Sequence, residues 1–398
     1  MTINYKKSII SKIVIMTLFL LMDSFVVSNS FAATKAYGIF DAGVSLINNG
    51  SEKSLALTSG TGTAARLGVR GDDVIDGRLS TEFLIETFIT MDDGSNYGLG
   101  TSFNSSTFVG LKYKNFFQFP YETSEITLRF GRQRSVLHDR LYLYDPMRQN
   151  LIGSPTGFAL YSMFYDKMIK VITKIKSKKE LLIARFMFVP GRYFESPDNE
   201  YIVSNKSNLQ KTPFGSWGVS LRWDRAPFSM KLGFQTEEKT HFRPRNTSSL
   251  FVMKYRLNQI NYYGGYLLRE PGRQLFNYNE KNLKTDCYYL GLTMPVKKLI
   301  NSFSADTSLF VSYARPTMTS EVNYQVSKQR YKKHYYADQW GVGLKHPLSK
   351  KTAIFLFAGK LQNNKDSNFS LEAIPFDIPT SYSGDDPSVF GFSLNQRY

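Results

Sequence analysis

The chain has 398 residues, a formal net charge of +17 and a mean hydropathy of −0.29, with 31 Phe, 25 Tyr and 28 Gly. Its single cysteine excludes a disulfide within the chain, and its four scattered histidines give no metal-ligand spacing, so we expect no metal and no cofactor. The basic charge would attract nucleic acid, lipid phosphates or anionic solutes, but no nucleic-acid-binding motif accompanies it, so we expect no nucleic-acid partner.

Residues 1–32 are predicted to be an export signal peptide. Three lysines form a basic start, Ile13–Met22 is apolar but too short to span a bilayer, and small residues are spaced for cleavage after Ala32. An N-terminal membrane anchor is the alternative, which the interruption at Asp23 disfavours. The segment carries three Lys and one Asp, so its removal lowers the net charge from +17 to +15. Residues 33–398 are predicted to form one domain.

This remainder is predicted to form roughly sixteen strands that alternate apolar with polar side chains. The clearest pair is Trp217–Trp223 and Phe228–Gln235, where every second residue is apolar, and Arg225-Ala226-Pro227 forms a tight turn between them. The first seven strands are predicted at Ala36–Ile47, Gly62–Gly71, Arg78–Met91, Phe103–Lys114, Ile126–Gln133, Phe158–Ile175 and Leu181–Val189. The sixth, seventh and fifteenth strands are apolar on both faces and cannot be oriented from the sequence.

The connections between these strands alternate between short and long. The short ones are predicted at Asp72–Asp76, Ser177–Lys179, Arg225–Pro227, Asn258–Gln259 and His346–Lys350. The long ones are predicted at Asn48–Thr61, Arg134–Gly157, Pro190–Pro213, Pro271–Leu283, Arg315–His334 and Gln362–Ser388. A transmembrane β-barrel has short periplasmic turns and long external loops, whereas a soluble β-sandwich predicts no such alternation.

The long connection after the fifth strand is the exception within this pattern. Residues 134–157 show no strand period, and a loop of this length within a compact domain is usually functional. We predict that it folds back into the lumen of the barrel and narrows it.

The C-terminal strand has Phe390, Phe392, Leu394 and Tyr398 on one face. A terminal aromatic residue suits the membrane interface. This strand resembles the recognition signal that is read by the bacterial outer-membrane barrel-assembly machinery, which makes that machinery an expected partner.

Four segments in register resemble the general porins of Gram-negative bacteria, of the neisserial and β-proteobacterial type. They are Tyr37–Val44, Arg66–Gly71, Phe108–Leu111 and Gly131–Gln133. The resemblance implies an all-β fold, a homotrimer of 16-stranded antiparallel outer-membrane barrels, and passive diffusion of small hydrophilic solutes and inorganic ions. It also implies contact with outer-membrane lipids and lipopolysaccharide.

The long loop departs from that family in composition. It lacks the acidic Pro-Glu-Phe-Gly-Gly type of turn, and its only acids are Asp139 and Asp145, among Arg134, Arg140 and Arg148. An arginine that commonly follows the loop is absent from Gly157–Tyr161.

A porin constriction needs basic wall groups opposite acidic loop groups. Alternation places Arg66 and Arg70 on the lumen side, and it favours Arg129 over Arg132, which falls in phase with lipid-facing residues. The resemblance instead places Arg66 and Arg132 on the constriction wall, which a bulge at Gly131 would permit. The candidate constriction residues are therefore Arg66, Arg70, Arg129, Arg132, Asp139 and Asp145.

Selectivity is expected to favour anions. The predicted lumen side carries Arg66, Arg70, Arg222, Lys231, Lys254 and Arg256 against Asp41, Glu82, Glu86, Asp224 and the two loop acids. The alternative functions are an adhesin or a structural barrel. We do not expect the protein to be an enzyme. Ser135 and His138 lie close in sequence, but the G-x-S-x-G motif of a nucleophilic serine is absent.

Overall fold

The computed structural model describes residues 34–95, 103–117, 122–149, 151–158, 163–190, 215–237, 246–270, 274–277, 280–300, 302, 306–323, 330–373, 376–378 and 382–398. The predicted signal peptide lies outside the described residues, as does most of the predicted loop Pro190–Pro213.

The described residues form twenty β-segments. They are β1 (Lys35–Asn48), β2 (Lys53–Ser59), β3 (Arg66–Val74), β4 (Leu79–Phe88), β5 (Thr107–Lys114), β6 (Thr123–Arg134), β7 (Phe164–Lys176), β8 (Leu181–Phe188), β9 (Trp217–Arg225), β10 (Phe228–Glu237), β11 (Asn246–Leu257), β12 (Ile260–Glu270), β13 (Gln274–Asn277), β14 (Glu280–Pro295), β15 (Ser308–Asn323), β16 (Arg330–Pro347), β17 (Thr352–Asn363), β18 (Leu371–Ala373), β19 (Phe376–Ile378) and β20 (Ser388–Arg397).

Eighteen of these segments form one antiparallel sheet that closes on itself, because β1 is hydrogen-bonded to β20 as well as to β2 and β3. Both β2 and β3 run antiparallel to β1 and are successive parts of one wall strand. In the same way β12 and β13 both pair with β14. The described wall therefore has sixteen strands, with β18 and β19 as a separate hairpin. The predicted 16-stranded antiparallel barrel is confirmed.

Three predicted connections are wrong over much of their length. In the predicted loop Pro271–Leu283, β13 covers Gln274–Asn277 and β14 begins at Glu280. Residues 53–59 of the predicted loop Asn48–Thr61 pair with β1, and their outward residues Leu55 and Leu57 are 74% and 72% exposed. The predicted loop Arg315–His334 is also shorter, because β15 continues to Asn323 and β16 begins at Arg330. The extension of β15 carries Arg315, Thr317 and Thr319 outward, so it lacks the apolar alternation by which the other strands were predicted, whereas β2 has only two apolar residues, Leu55 and Leu57, on its outer face.

The alternation on β9 and β10 is confirmed in the barrel wall. Val219, Leu221 and Leu232 are 43–47% exposed on the outer face, while Ser220 and Lys231 are buried on the inner face. The turn at residues 225–228 and the turn at Asn258-Gln259 are both tight, and the latter two residues have positive φ angles of 47° and 70°. These tight turns match the short-connection side that the sequence predicts.

The barrel contains a hydrophobic core between its inner wall and the loop after β6. Wall residues such as Met168, Met187, Phe357 and Leu361 pack in the same buried cluster as loop residues Leu137, Leu141, Tyr144, Met147, Leu151 and Ile152. This cluster explains why the strands now seen as β7, β8 and β17 are apolar on both faces: one face meets lipid and the other meets the loop.

Regular helix is limited to single 3-10 turns among the described residues, at Leu141–Leu143, Pro155–Gly157 and Val296–Lys298. The described part of the chain has no helix with the length and apolar character needed to cross a membrane.

The closure of the barrel leads to a prediction about Tyr398. Its backbone exchanges hydrogen bonds with Gly38 (N to O, 2.9 and 3.4 Å), and its ring centroid lies 5.9 Å from that of Phe40 on β1. Deletion of Tyr398 removes these contacts at the seam, so we expect less folded protein in the outer membrane. The fraction that shifts its gel mobility on heating measures this, and Tyr398→Phe should behave as wild type. Normal insertion of the deletion variant would contradict the assigned role.

Candidate pore constriction

The loop after β6 crosses the inside of the barrel and is attached to strands on the far side. The Tyr144 hydroxyl lies 2.8 Å from Ser229 Oγ on β10, and Tyr289 on β14 donates to Tyr144 O at 2.9 Å. Further along, Ser312 Oγ donates to Gly153 O at 2.8 Å and Gln339 Nε2 donates to Ser154 O at 3.1 Å. The predicted inward-folded loop is therefore seen, with attachments from β10 to β16.

Glycines on the inner wall allow the loop to approach the strands closely. A Cβ atom added to Gly218 would lie 2.9 Å from Val136 Cγ2, and one added to Gly341 would lie 2.8 Å from Gly153 Cα. The same conflict with loop atoms occurs at Gly233, Gly291, Gly343 and Gly359. Because real Cβ atoms do not approach so closely, a larger residue at these positions would push the loop away from the wall.

Asp145 organises the inside of the loop instead of facing the lumen wall. It is fully buried, and its carboxylate accepts hydrogen bonds from Met147 N (2.7 Å), Gln149 N (2.8 Å) and Ser154 Oγ (2.5 Å). Burial raises the pKa of Asp145 to about 6, although these hydrogen bonds act to lower it. This differs from the sequence-based expectation because acceptance of local backbone donors leaves the carboxylate no free face.

Asp139 lies where the loop meets β7 and β8. Its Oδ2 is 3.4 Å from Lys170 Nζ and 3.1 Å from Arg185 Nε, and both cationic side chains are at least 95% buried. Burial alone would raise the pKa of Asp139, but Lys170 and Arg185 hold it well below its ordinary value. Lys231 completes the attachment by donating to Leu137 O at 2.6 Å and to Asp139 O at 2.7 Å.

A row of charged side chains crosses the lumen face of β4, β5 and β6. Arg129 on β6 lies level with Gly110 on β5, which in turn pairs with Glu82 on β4. Arg129 Nε reaches over the glycine to Glu82 Oε1 at 2.6 Å, and Lys112 Nζ binds Glu82 Oε2 at 3.2 Å. A side chain at position 110 would meet Arg129 Cγ at 3.0 Å, so the glycine permits this crossing.

Arg66 and Arg70 lie on β3 on the lumen side, as predicted from alternation. Arg66 Nε is 3.4 Å from Glu86 Oε2, and the same carboxylate accepts from Tyr37 Oη and Ser105 Oγ, both at 2.5 Å. The Arg70 guanidinium lies 5.5 Å from the centre of the Tyr37 ring. Glu82 and Glu86 are therefore held within wall contacts instead of projecting as isolated charges.

Arg132 does not line the lumen cavity. Residue Gly131 has a φ of 128° and the β6–β7 register shifts between Gly131 and Gln133, so the bulge considered from the sequence exists. Nevertheless, Arg132 Nη1 donates to Asp166 at 2.6 Å and its Nε and Nη2 donate to Asn104 O. Gln133 and Arg134 line the lumen cavity instead, and Arg132 is not among its lining residues.

Arg148, Lys345 and Arg397 are three of the lumen cations that were not among the sequence-based candidates. Arg397 on β20 and Arg66 on β3 both pair with Ile39, so they flank β1 at one level. Arg148 on the loop lies 5.5 Å from the Phe310 ring centre, and Lys345 on β16 lines the same cavity. Alternation with Phe392 and Leu394 could have identified Arg397, whereas Arg148 has a positive φ of 57° in a segment without period.

The residues described around the lumen form a cavity of about 740 Å³ with a strong excess of positive charge. Its lining contains four acids, Asp72, Glu82, Glu86 and Asp139. It contains eleven basic side chains, Lys35, Arg66, Arg70, Lys112, Arg129, Arg134, Arg140, Arg148, Lys170, Lys345 and Arg397. Three of the four acids are paired with basic groups at 3.4 Å or less. The cavity can therefore attract anions while its acids are locally neutralised.

Ser135 and His138 meet but are inaccessible. Ser135 Oγ lies 3.0 Å from His138 Nδ1, and the two residues are 0% and 4% exposed. Burial lowers the pKa of His138 to about 3, with the cations Arg134 and Lys231 acting in the same direction. The pair closes a turn at the start of the loop. Among the described residues, no group of three or more His, Cys, Asp or Glu side chains is placed to hold a metal ion.

The chain is similar to known proteins in sequence and in fold. A family model described as Gram-negative porin matches residues 18–366. A comparison with curated proteins finds no match. The fold is similar to the anion-selective porin from Comamonas acidovorans, with a TM-score of 0.69, 18% sequence identity and coverage of 92% of this chain and 100% of that one.

Two further solved structures share the fold. OmpT of Vibrio cholerae, described as its trimer form, has a TM-score of 0.59 and 11% identity, with 93% of this chain and 100% of that chain covered. OmpF of Salmonella typhi, solved with daunomycin, has a TM-score of 0.58 and 13% identity, with 92% and 97% covered.

The buried carboxylate of Asp145 leads to a prediction about the loop. Asp145→Ala leaves the donors of Met147, Gln149 and Ser154 without their acceptor, at a cost of about 1–3 kcal/mol for each buried donor. We expect a looser loop and therefore a larger and noisier single-channel conductance, with heat-dependent gel migration unchanged. Asp92→Ala, which removes an exposed carboxylate, is the control. Wild-type conductance in Asp145→Ala would show that the loop does not limit ion flow.

Proposed function

Because the chain belongs to the Gram-negative porin family and so forms a passive-diffusion channel of the outer membrane, we propose that it passes small hydrophilic solutes and ions with a preference for anions. The observation that carries the proposal is the lumen lining, where eleven basic side chains face four acidic ones. The fold neighbour from Comamonas acidovorans is itself described as anion-selective, which agrees with the proposal.

The position of the positive charge supports this preference. Arg66 and Arg397 flank one strand at the same level, and Arg148 projects from the loop into the same cavity as Lys345. Charges more than about 8–10 Å from the ion path are largely screened at physiological salt, so cations in the narrow lumen count more than those on outer loops. Water confined beside low-dielectric walls strengthens their effect on passing ions.

The candidate constriction is proposed to consist of Arg66, Arg129, Arg148 and Arg397, with Arg70 nearer the short-turn end. Asp139 contributes by holding the loop through Lys170 and Arg185. Asp145 contributes by keeping the loop folded, and Arg132 acts outside the cavity through Asp166. Glu82 and Glu86 of the wall lower the net positive charge but remain paired.

We also propose that the protein assembles as a homotrimer. Membership of the porin family supports this, and the Vibrio cholerae neighbour is described as a trimer. Chemical crosslinking of the purified protein before and after boiling tests the assembly, since a trimer should give a heat-sensitive species of three times the monomer mass. A single monomer band under both conditions would exclude it.

Catalysis is not part of the proposed function. Ser135 and His138 form a serine–histidine contact, but both are buried in a turn that substrate cannot reach. An adhesin or structural role is the second candidate, and it predicts no conductance in a planar bilayer.

Measurement of ion selectivity in a planar bilayer tests the proposal. In a tenfold potassium chloride gradient we expect a zero-current potential of anion-selective sign. One charge 8 Å from the ion path is worth about 0.5 kcal/mol even at the dielectric constant of water, which is about a twofold change in the permeability ratio. Arg148→Ala, Arg397→Ala and Arg66→Ala should therefore each move the potential toward zero.

Two controls sharpen this measurement. Arg132→Ala removes a cation that does not line the lumen cavity and is bonded to Asp166, and Arg225→Ala removes one that is 57% exposed at a periplasmic turn. Both should leave the potential near its wild-type value. A cation-selective wild type, or a larger effect of Arg132→Ala than of the lumen variants, would contradict the assignment of the constriction.

A further inference from the structure

A short segment between β2 and β3 leaves the barrel wall and lies on its inner side. Ala42 on β1 pairs with Ser59 at the end of β2, and Ile39 on β1 pairs with Arg66 at the start of β3. Between these two pairs β1 has two residues, whereas the opposite strand has six, residues 60–65. An ordinary β-bulge contains one extra residue, but this segment contains four. We call residues 60–65 the inward bulge.

The inward bulge is small and uncharged. Its sequence is Gly-Thr-Gly-Thr-Ala-Ala, in which no side chain is larger than that of threonine. A barrel strand has alternate side chains exposed on the outer face, but all six residues of the inward bulge are buried. The predicted second strand, Gly62–Gly71, is therefore wrong over its first four residues, which belong to the inward bulge, and β3 begins at Arg66.

Asp41 on β1 holds the inward bulge in place. Its carboxylate Oδ1 accepts a hydrogen bond from Gly62 N at 3.0 Å, and its backbone carbonyl accepts one from Gly60 N at 2.9 Å. Its Oδ2 accepts a hydrogen bond from Asn395 Nδ2 on β20 at 3.2 Å. Asp41 is 0% exposed and is not among the residues that line the lumen cavity. This predicted lumen acid therefore stabilises the inward bulge.

Two glycines allow the chain to take this path. Gly60 has a φ of 72°, a left-handed conformation that glycine adopts without strain. A Cβ atom added to Gly62 would lie 2.6 Å from Phe355 Cδ2 on β17 and 2.8 Å from Ser393 Oγ on β20. The inward bulge therefore packs directly against the inner faces of two strands beyond β1.

The other side of the inward bulge is attached to the residues that follow β4. Ala65 O accepts a hydrogen bond from Ile89 N at 3.1 Å. The neighbouring Ser59 Oγ accepts one from Met91 N at 2.8 Å. With Asp41 on one side and these backbone donors on the other, the inward bulge is a fixed part of the inner wall.

The inward bulge lies beside the arginines of the candidate constriction. Residues 62–64 line the same lumen cavity as Arg66, Arg148 and Arg397. β3 runs from Arg66 to the short connection between β3 and β4, and short connections face the periplasm. The inward bulge precedes Arg66 and so lies on its external side. A solute that enters from outside therefore passes the inward bulge before it reaches Arg66.

We propose that the inward bulge is a second constriction element, which sets the size limit of the pore together with the loop after β6. Because the inward bulge is uncharged, it selects solutes by their cross-section, whereas the lumen arginines select them by their charge. The inference deepens the proposed function: compact anions pass, and bulkier anions of the same charge are held back.

The test removes the inward bulge without breaking the wall. Deletion of residues 61–64 leaves Gly60 and Ala65 opposite Asp41 and Phe40, so that β2 and β3 can join in register as one strand. Because the deletion would expose the Asp41 carboxylate to the lumen, it is combined with Asp41→Asn. The matched control is Asp41→Asn alone, whose amide oxygen can still accept from the backbone of the inward bulge and which should conduct as wild type does.

The first readout is conductance in a planar bilayer. We expect the deletion variant to conduct roughly 1.5-fold more than the control, because the conductance of a water-filled pore rises with its narrowest cross-section. Neutral polyethylene glycols of increasing mass then give the size limit, since a polymer that enters the pore lowers its conductance. This limit should be larger in the deletion variant. Equal conductance and equal size limits in the control and a deletion variant that retains heat-dependent gel migration would overturn the proposal.

A second measurement keeps the full length of the chain. Thr63→Cys combined with Cys287→Ala places one thiol on the inward bulge, and a neutral methanethiosulfonate reagent then attaches a group to that thiol. We expect modification to lower the conductance, because the added group fills part of the lumen. Leu57→Cys in the same background lies on the outer face, where Leu57 is 72% exposed, and its modification should leave conductance unchanged. A Thr63→Cys thiol that stays unmodified, or whose modification does not change conductance, would overturn the proposal.

The anion preference is tested separately, by the sign of the zero-current potential. A cation-selective wild type would contradict that preference, while the polymer size limits would still decide the role of the inward bulge. Conversely, an anion-selective wild type whose size limit is unchanged by the deletion would overturn the role of the inward bulge alone.

Discussion

The pore depends on one close contact, that between the backbone of the inward loop and the glycines of the wall. A loop inside a barrel must satisfy its own polar groups and exclude gaps, since neither lipid nor regular pairing supports it. Wall glycines let it approach, and Tyr144, Ser312 and Gln339 bond it to the strands on the far side. Lys231 adds a charged donor to two loop carbonyls. The result is a fixed loop with a hydrophobic core behind it and a polar lumen in front.

This arrangement holds three of the four acids of the lumen lining in ion pairs and still leaves basic side chains in excess. Glu82, Glu86 and Asp139 are each held by more than one donor, whereas the cavity still presents a majority of basic side chains. Selectivity thus follows from which charges are engaged by the wall, and the total charge of the chain is a poor guide to it.

Much of the fold could be predicted because a barrel wall repeats with period two. The residues Arg66 and Arg129 were placed on the lumen side by alternation alone, and the tight turns marked the strand ends. Prediction failed in the loop, where the sequence has no such period. The Asp145 carboxylate accepts hydrogen bonds from its own loop, and Arg148 has a left-handed backbone conformation that alternation does not predict. At Arg132 the bulge was foreseen, but the choice of Asp166 as its partner depends on β7, which is distant in sequence.

The contact between the loop and the wall glycines also has a consequence for how the channel can change in a population. Glycine has no side chain to lose, so every substitution at Gly218 or Gly341 adds atoms behind the loop and displaces it toward the lumen. Inherited variation at these positions is therefore biased toward narrower pores. A bacterium exposed to a harmful solute could reduce its entry through residues that never touch that solute, and without altering a single charge of the permeation path.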